Sequence, residues 1–158
     1  MPRVGAGGAT LTTEDEAEIR ALIEERAAAI RAKDSSRAVA TLAPEVVSFE
    51  LAPPLSLGPA EARDEAALSN WLGMWDGAVQ IEIAELEIAA SGDVGWSRSL
   101  NRLSGTMKNG RRVEMWMRST LGFRKIDGAW KIAHGHSSVP FLMDGSYRAA
   151  IDLQPKGA

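Results

Sequence analysis

The chain has 158 residues and a net charge of −3, with 45% apolar and 25% charged side chains. This length favours a single folded domain, and no apolar run approaches the ~20 residues of a membrane span. Because the acidic balance offers no basic face, we expect neither nucleic acid nor a membrane as a partner. The sequence lacks cysteine, which excludes disulfides and thiolate nucleophiles. Its N-terminus lacks the apolar stretch of a signal peptide, so we expect a cytoplasmic protein.

The N-terminal half predicts three helices and one strand. Residues 1–11 are rich in glycine and predict a flexible arm, while residues 12–158 predict one domain. A helix over residues 12–33 is predicted by apolar residues at spacings of three and four: Ile19, Leu22, Ile23, Ala27 and Ile30. A short second helix is predicted to end before Pro44, and a strand follows over residues 46–51. The third helix is predicted to cover about residues 60–75.

The C-terminal half has the period of two that is typical of strands. The apolar residues change parity within the first of these strands, which predicts a β-bulge near Ala84 and Glu85. Three further strands, at residues 94–108, 111–125 and 130–139, are separated by Asn109-Gly110 and Asp127-Gly128, both strong hairpin turns. The element order indicates an α+β fold, with three N-terminal helices packed on one side of a bent antiparallel sheet.

Two-residue turns at these dipeptides fix which residues share the inward face. The turn at Asp127-Gly128 sets Phe123 opposite Ile132, Leu121 opposite His134 and Ser119 opposite His136. The turn at Asn109-Gly110 sets Trp96 opposite Phe123, Arg98 opposite Leu121 and Arg102 opposite Met117. The inward face then turns polar toward one end, as a ligand cavity does. Candidate ligand-binding residues are Trp96, Arg98, Arg102, Met117, Ser119, Leu121 and Phe123.

The inward histidines and arginines each allow more than one interpretation. His134 and His136 share a face about 7 Å apart, so both can touch one ligand. Three interpretations are open for them. They are hydrogen-bonded groups in the pocket wall, groups that take part in acid–base chemistry, or metal ligands, in which case Glu50, earlier in the chain, would be the third ligand. Arg98 and Arg102 either clamp a carboxylate or enolate, or extend to the rim and pair with Glu50 or Asp144.

Residues 110–112 (GRR) and 116–141 (WMRSTLGFRKIDGAWKIAHGHSSVPF) resemble the SnoaL-like, ketosteroid-isomerase-like proteins of the nuclear transport factor 2-like superfamily. The resemblance covers about residues 12–153. It implies a cone-shaped, cystatin-like α+β barrel, in which three helices close over a bent sheet. It also implies a homodimer packed through the outer faces of the sheets, with Trp116 and Arg118 at or near the partner subunit.

The resemblance implies a small-molecule-binding domain with acid–base catalysis of the isomerase, cyclase or hydrolase type on a small, partly apolar organic ligand. Glu50 stands where family members often carry an acid and is the candidate base, with His134 and His136 as further candidate catalytic residues. Arg98 stands where relatives carry a histidine, and Gly135 where an acid is common. The alternative is a non-catalytic ligand-binding or dimerisation module. No residue pattern identifies a cofactor, and we assign no metal site.

Overall fold

The computed structural model describes residues 9–157, with side chains from Glu14 onward. It contains four helices and five strands within this range: α1 (Ala9–Arg31), α2 (Ser35–Ala40), β1 (Leu42–Phe49), α3 (Pro59–Ala62), α4 (Glu65–Gly73), β2 (Trp75–Ser91), β3 (Val94–Met107), β4 (Arg112–Ile126) and β5 (Ala129–Ser138). Helix α1 begins at Ala9, three residues before the predicted start, so residues 9–11 of the arm predicted for residues 1–11 are helical. Residues 1–8 of that arm lie outside the described residues.

Local chain chemistry sets the helix boundaries. Lys33 adopts a positive φ of 55° just after α1, and the Asp34 side chain then accepts a hydrogen bond from the Arg37 amide to start α2. The predicted third helix is two helices, α3 and α4. The reason is Asp64, whose carboxylate accepts a hydrogen bond from the Ala67 amide and so begins a new helix at Glu65.

The five strands form one curled sheet in the order β1-β5-β4-β3-β2. The prediction of an α+β fold with helices packed on a bent sheet is confirmed, but the sheet is not closed into a barrel. The sheet is also not wholly antiparallel, because β1 runs parallel to β5, with Phe49 beside His136. A parallel pair needs a long connection, and here two helices and three strands, α3, α4, β2, β3 and β4, lie between β1 and β5.

Irregularities in the strands decide which residues face the helices. The bulge predicted in β2 is confirmed, because the pairing with β3 shifts after Ala84 and Glu85 adopts a φ of 53°. The turn at Asp127-Gly128 is also as predicted, with Phe123 paired to Ile132. Beyond Ile132, however, an extra residue in β5 shifts the register, so that Leu121 pairs with Gly135. Both histidines therefore turn to the outer face, where they pair with Gly122 and Thr120.

The register predicted between β3 and β4 is wrong by one residue. Gly95 pairs with Phe123 and Arg98 with Thr120, because the connecting loop has three residues, 108–110, with Gly110 at a positive φ of 87°. Gly95, Ser97, Ser99 and Asn101 therefore face the helices.

Two groups of buried side chains hold α1 against the sheet. The first contains Ile19, Ile23, Leu42, Val46, Ile88, Phe123, Trp130 and Ile132. The second joins α1, α2 and α4 to β2 and contains Ala29, Ile30, Ala38, Leu72, Trp75 and Val79. No helix in residues 9–157 combines the length and apolarity needed to cross a bilayer.

Candidate functional site

A cavity of about 190 Å³ lies between α1 and the concave face of the sheet. Most of its wall is aliphatic: Ile23, Ala27, Ile30, Leu42, Val46, Ala62, Ile81, Ile83, Leu121 and Ile132. Its polar wall residues are Arg26, Ser48, Glu50, Asn101, Ser119 and Ser137. The polar groups come from α1, β3, β4, β5 and the end of β1, so the helix and the sheet enclose them together. We call this space the inner cavity.

Arg26 brings a positive charge into the inner cavity from α1. It lies three residues after Ile23 and four before Ile30, so the helix places it on its apolar face. The Nη1 atom donates a hydrogen bond of 2.9 Å to the carbonyl oxygen of Ala38 in α2. Burial lowers the pKa of Arg26, and the nearby charge of Glu50 raises it in opposition. An arginine keeps its charge in proteins, so the remaining guanidinium donors are available to an anionic group.

Glu50 directly follows β1 and brings a carboxylate to the same cavity. Residues two apart on a strand share a face, and the Oγ of buried Ser48 donates a hydrogen bond to the Glu50 carboxylate. Because Ser48 holds one carboxylate oxygen, the other oxygen is left for a ligand. Glu50 is the one carboxylate among the residues that line the inner cavity.

A second, wider pocket of about 690 Å³ opens at the ends of β1 and β5. Its walls are residues 49–55 after β1, residues 136–139 at the end of β5, and Phe141 and Ala149. Glu50 and Ser137 line both this space and the inner cavity, so the two adjoin. We call it the outer pocket. Glu50 and His136 are its titratable wall residues.

The arrangement supplies a carboxylate and a guanidinium to one largely aliphatic space. A carboxylate accepts a proton, and a guanidinium stabilises a negative charge that develops on an oxygen atom. In this space Arg26 is half-buried and Glu50 is exposed to solvent. The site is therefore chemically suited to moving a proton on an organic molecule.

The family model for the SnoaL-like domain matches residues 19–142. The chain belongs to the SnoaL-like family. A solved structure of an NTF2-like protein of unknown function from Pseudomonas putida is 32% identical, with 91% of this chain and 99% of that chain covered and a TM-score of 0.80. No curated protein matches the sequence.

Two more distant structures share the fold of this SnoaL-like protein. One, from Streptomyces avermitilis, is an NTF2-like family protein provisionally named a dehydratase; it is 13% identical, covers 80% of this chain and 97% of its own, and has a TM-score of 0.70. The other, from Novosphingobium aromaticivorans, is provisionally named a scytalone dehydratase. It is 14% identical, the match covers 92% of this chain and 95% of that chain, and the TM-score is 0.72. At these identities the likeness concerns the fold.

The structure brings only some of the predicted site residues of this SnoaL-like protein together. Glu50, Ser119 and Leu121 line the inner cavity. Phe123 is buried in the core beside Ile132 and lines neither space, because it packs below the cavity. Met117 pairs with Asn101 and so lies on the inward face, but it does not line the inner cavity and instead borders a separate groove with Leu153.

The predicted inward placement of Trp96, Arg98 and Arg102 is wrong. The three-residue loop between β3 and β4 turns all three to the outer face, where they pair with Gly122, Thr120 and Trp116. There Arg98 pairs with the Glu87 carboxylate, and Arg102 pairs with those of Glu82 and Glu114. The Trp96 side chain is 45% exposed. These three side chains are therefore paired with acids or exposed to water on the outer face, and none of them lines the inner cavity.

The two histidines occupy different environments, and neither lines the inner cavity. His134 Nδ1 lies 2.7 Å from the Val47 carbonyl oxygen, a hydrogen bond that ties β5 to β1. His136 lines the outer pocket. The Phe49 ring packs edge-on against both imidazoles, with centroid distances of 4.7 and 5.5 Å. Among residues 9–157, no three His, Asp or Glu side chains come together as a metal site would require.

Arg26, Ser48, Asn101 and Ser137 line the inner cavity but were not among the predicted site residues. The helical spacing that predicted the apolar stripe of α1 also includes Arg26, so its position could have been found from the sequence. Asn101 and Ser137 could not, since a one-residue slip in a strand moves a side chain to the opposite face.

Proposed function

We propose that this SnoaL-like protein binds a small organic carbonyl compound in the inner cavity and transfers a proton at the carbon next to the carbonyl group. Glu50 is the base: a C–H bond breaks, the proton passes to a Glu50 carboxylate oxygen, and the electron pair moves to the carbonyl oxygen. Arg26 stabilises the resulting enolate. The observation that carries this proposal is that Glu50 and Arg26 line one largely aliphatic cavity.

The surroundings of both groups support this division of roles. The Ala38 carbonyl holds the Arg26 guanidinium, and Ser48 holds the Glu50 carboxylate, so neither has to be ordered when the ligand enters. Preorganised charge of this kind lowers a barrier without reorganisation cost. The proton that Glu50 accepts returns to another carbon of the ligand in an isomerisation.

His136 belongs to this proposal as a second acid–base group, on the outer-pocket side of Glu50. An imidazole can both donate and accept a proton, and here it lies in a pocket that the Glu50 carboxylate also lines. His134 has a different role in this proposal, because its Nδ1 atom is hydrogen-bonded to the Val47 carbonyl oxygen. It positions β5, the strand that carries His136.

The size of the inner cavity limits the group that enters it. An engineered apolar cavity of about 150 Å³ holds benzene. A cavity of about 190 Å³ therefore accommodates one six-membered ring with a small substituent. Cyclohexanone matches this size and carries exchangeable hydrogens next to its carbonyl group.

The proposal is tested by following hydrogen–deuterium exchange of cyclohexanone in D₂O by proton NMR. Wild-type protein should accelerate the exchange over buffer. Because a general base contributes roughly 10²–10⁴-fold, Glu50→Gln should remove ~100-fold or more of the acceleration. Arg26→Met should cost roughly 10²–10³-fold, as loss of an oxyanion-stabilising donor does.

The matched control is Glu45→Gln, an exposed acid on the same strand that lines neither space and whose carboxylate lies 3.8 Å from Arg124. It should leave the exchange rate unchanged. Circular dichroism and denaturant melts establish that each variant folds. Equal exchange by folded Glu50→Gln and wild-type proteins would show that Glu50 is not the base.

Binding without turnover is the second candidate function. It is favoured by the fact that the inner cavity has a single carboxylate and no imidazole in its wall, so Glu50 has no second acid–base group within that space. On this alternative, cyclohexanone shifts the amide resonances of Ser119 and Leu121 in an NMR titration, while its exchange rate stays at the buffer value.

We also propose that two copies associate through the outer face of the sheet. This face carries Trp96 and Trp116 among charges of both signs, including Arg98 and Glu87. A face with interspersed charges is self-complementary under a two-fold rotation, because each cation can meet an anion of the other copy. The C-terminal residues 153–156 line a groove beside Trp116 and would take part in the contact.

A further inference from the structure

We propose that the outer pocket is the second compartment of the same binding site, and that the natural ligand is an elongated molecule. A compact carbonyl-bearing head occupies the inner cavity, and an uncharged aromatic or alicyclic tail occupies the outer pocket. This inference rests on the proposed function and adds the class of ligand to it. The observation behind this inference is that the inner cavity and the outer pocket share the wall residues Glu50 and Ser137.

The chain topology places the two spaces side by side. Strands β1 and β5 are parallel neighbours and end together, at Phe49 and Ser138. The inner cavity lies beside these strands, and the outer pocket begins where they stop. Glu50 and Ser137 stand at this boundary and line both spaces. A ligand whose head contacts Glu50 from inside therefore extends its remaining atoms past the strand ends.

The wall of the outer pocket is suited to a ring without charge. It contains the rings of Phe49, Pro53, Pro54 and Phe141 and the side chains of Leu51, Leu55 and Val139. No lysine or arginine is among its wall residues, and Glu50 opposes a second negative charge. Leu51, Leu55 and Phe141 are exposed, so a ligand that covers them would remove apolar surface from water.

The volumes of the two spaces indicate that the ligand is not confined to either one alone. Pockets for drug-sized ligands measure roughly 300–1,000 Å³. The inner cavity, at about 190 Å³, is below this range and holds one ring. The outer pocket, at about 690 Å³, is within the range but open to solvent, and its wall lacks Arg26. Only the two together combine a full-sized volume with both charged groups.

The test compares cyclohexanone with 4-phenylcyclohexanone, which carries the same head and a phenyl tail. Both are titrated into the ¹⁵N-labelled full-length protein and followed by NMR. Burying an aromatic side chain gives ~1.5–3 kcal/mol, so the phenyl compound should bind about ten- to a hundredfold more tightly. Cyclohexanone should shift the amides of Ser119 and Leu121, and the phenyl compound should shift those of Leu51 and Val139 as well.

The variant Phe141→Ala removes one wall of the outer pocket only. It should weaken binding of the phenyl compound ~5-fold or more and leave cyclohexanone unchanged, since half or more of the ring's contribution is lost. Met143→Ala is the matched control, because Met143 lies in the same segment, is 85% exposed and lines neither space. Leu51→Ala, from the opposite wall, should reproduce the effect of Phe141→Ala.

The possible outcomes separate the two proposals. If cyclohexanone binds and the phenyl group adds nothing, or if its gain persists in both Phe141→Ala and Leu51→Ala, the two-compartment site is refuted while the proposed function stands. If neither compound binds, both proposals are refuted. A gain that is lost in both outer-pocket variants and retained in Met143→Ala supports the elongated ligand.

Discussion

Which face of β3 lines the inner cavity can be tested at Gly95. A Cβ atom added at this position would lie 2.9 Å from the Ile19 Cδ1 atom and 3.1 Å from the Ala89 carbonyl oxygen. Ile19 is fully buried on α1 and the Ala89 oxygen belongs to the backbone of β2, so the added methyl group would have to displace both a core side chain and the backbone. We expect Gly95→Ala to destabilise the protein, although alanine at a permissive site is usually favourable.

The magnitude follows from two opposing contributions. Overpacking a close-packed core costs roughly 1–3 kcal/mol. Replacing glycine by alanine gains about 0.4–1 kcal/mol by restricting the unfolded chain. The net expectation is a loss of ~1–2 kcal/mol in the free energy of unfolding. Gly122→Ala is the matched control on the neighbouring strand, because its added Cβ would lie 3.5 Å from His134 Cβ, an ordinary contact.

Urea denaturation monitored by tryptophan fluorescence measures both variants. Ile19→Val sharpens the test, because it deletes the Cδ1 atom that the new methyl group would meet. Alone, Ile19→Val should cost ~0.5–1.5 kcal/mol. Combined with Gly95→Ala, the total loss should fall short of the sum by about 1 kcal/mol, since contacting residues couple. If Gly95→Ala is as stable as Gly122→Ala, or if the losses are additive, Gly95 does not face α1 and our assignment of the cavity wall is wrong.

Two further predictions concern the contact between α1 and the sheet and the association of two copies. Asp15 accepts a hydrogen bond of 3.0 Å from the indole nitrogen of buried Trp130. Asp15→Ala should therefore lower the free energy of unfolding, measured in urea melts, by ~1–3 kcal/mol, because it leaves that donor unpaired. Asp15→Asn keeps an acceptor and should cost less, so equal losses in the two variants would contradict this prediction. For association through the outer face, sedimentation velocity should give twice the chain mass of 16.9 kDa for wild type and the single mass for Trp96→Glu. Met74→Glu, at an exposed position that caps the end of α4 and does not belong to a strand, should remain dimeric, and a monomeric wild type would overturn the dimer proposal.

The sequence predicts the elements of this fold well, because their causes are local. The stripe from Ile19 to Ile30, the bulge at Glu85 and the turn at Asp127-Gly128 each follow from spacing or from residues that tolerate positive φ. The family resemblance predicts how the helices lie on the sheet. The resemblance also points to Glu50, because family members often carry an acid in this part of the first strand, and Glu50 lines the inner cavity.

The faces of two strands could not be predicted, because their causes are not local. Asn109-Gly110 is compatible with two-residue and three-residue loops, and the choice between them inverts the face of β3. The extra residue in β5 carries no glycine to mark it, and β5 has to match β4 on one side and β1 on the other. One slipped residue in each strand was enough to send Arg98 and His134 outward.

The parallel pairing of β1 with β5 has a consequence for how the protein acquires its site. Leu42 pairs with Ile132, which lies 90 residues later in the chain, and such distant contacts form slowly because a long loop must close first. The β2-β3-β4 meander pairs neighbours in sequence and can assemble early. During synthesis, Glu50 leaves the ribosome long before His136, and their pocket exists only after the last strand has docked. Premature termination before β5 would therefore leave an ordered meander with no binding site.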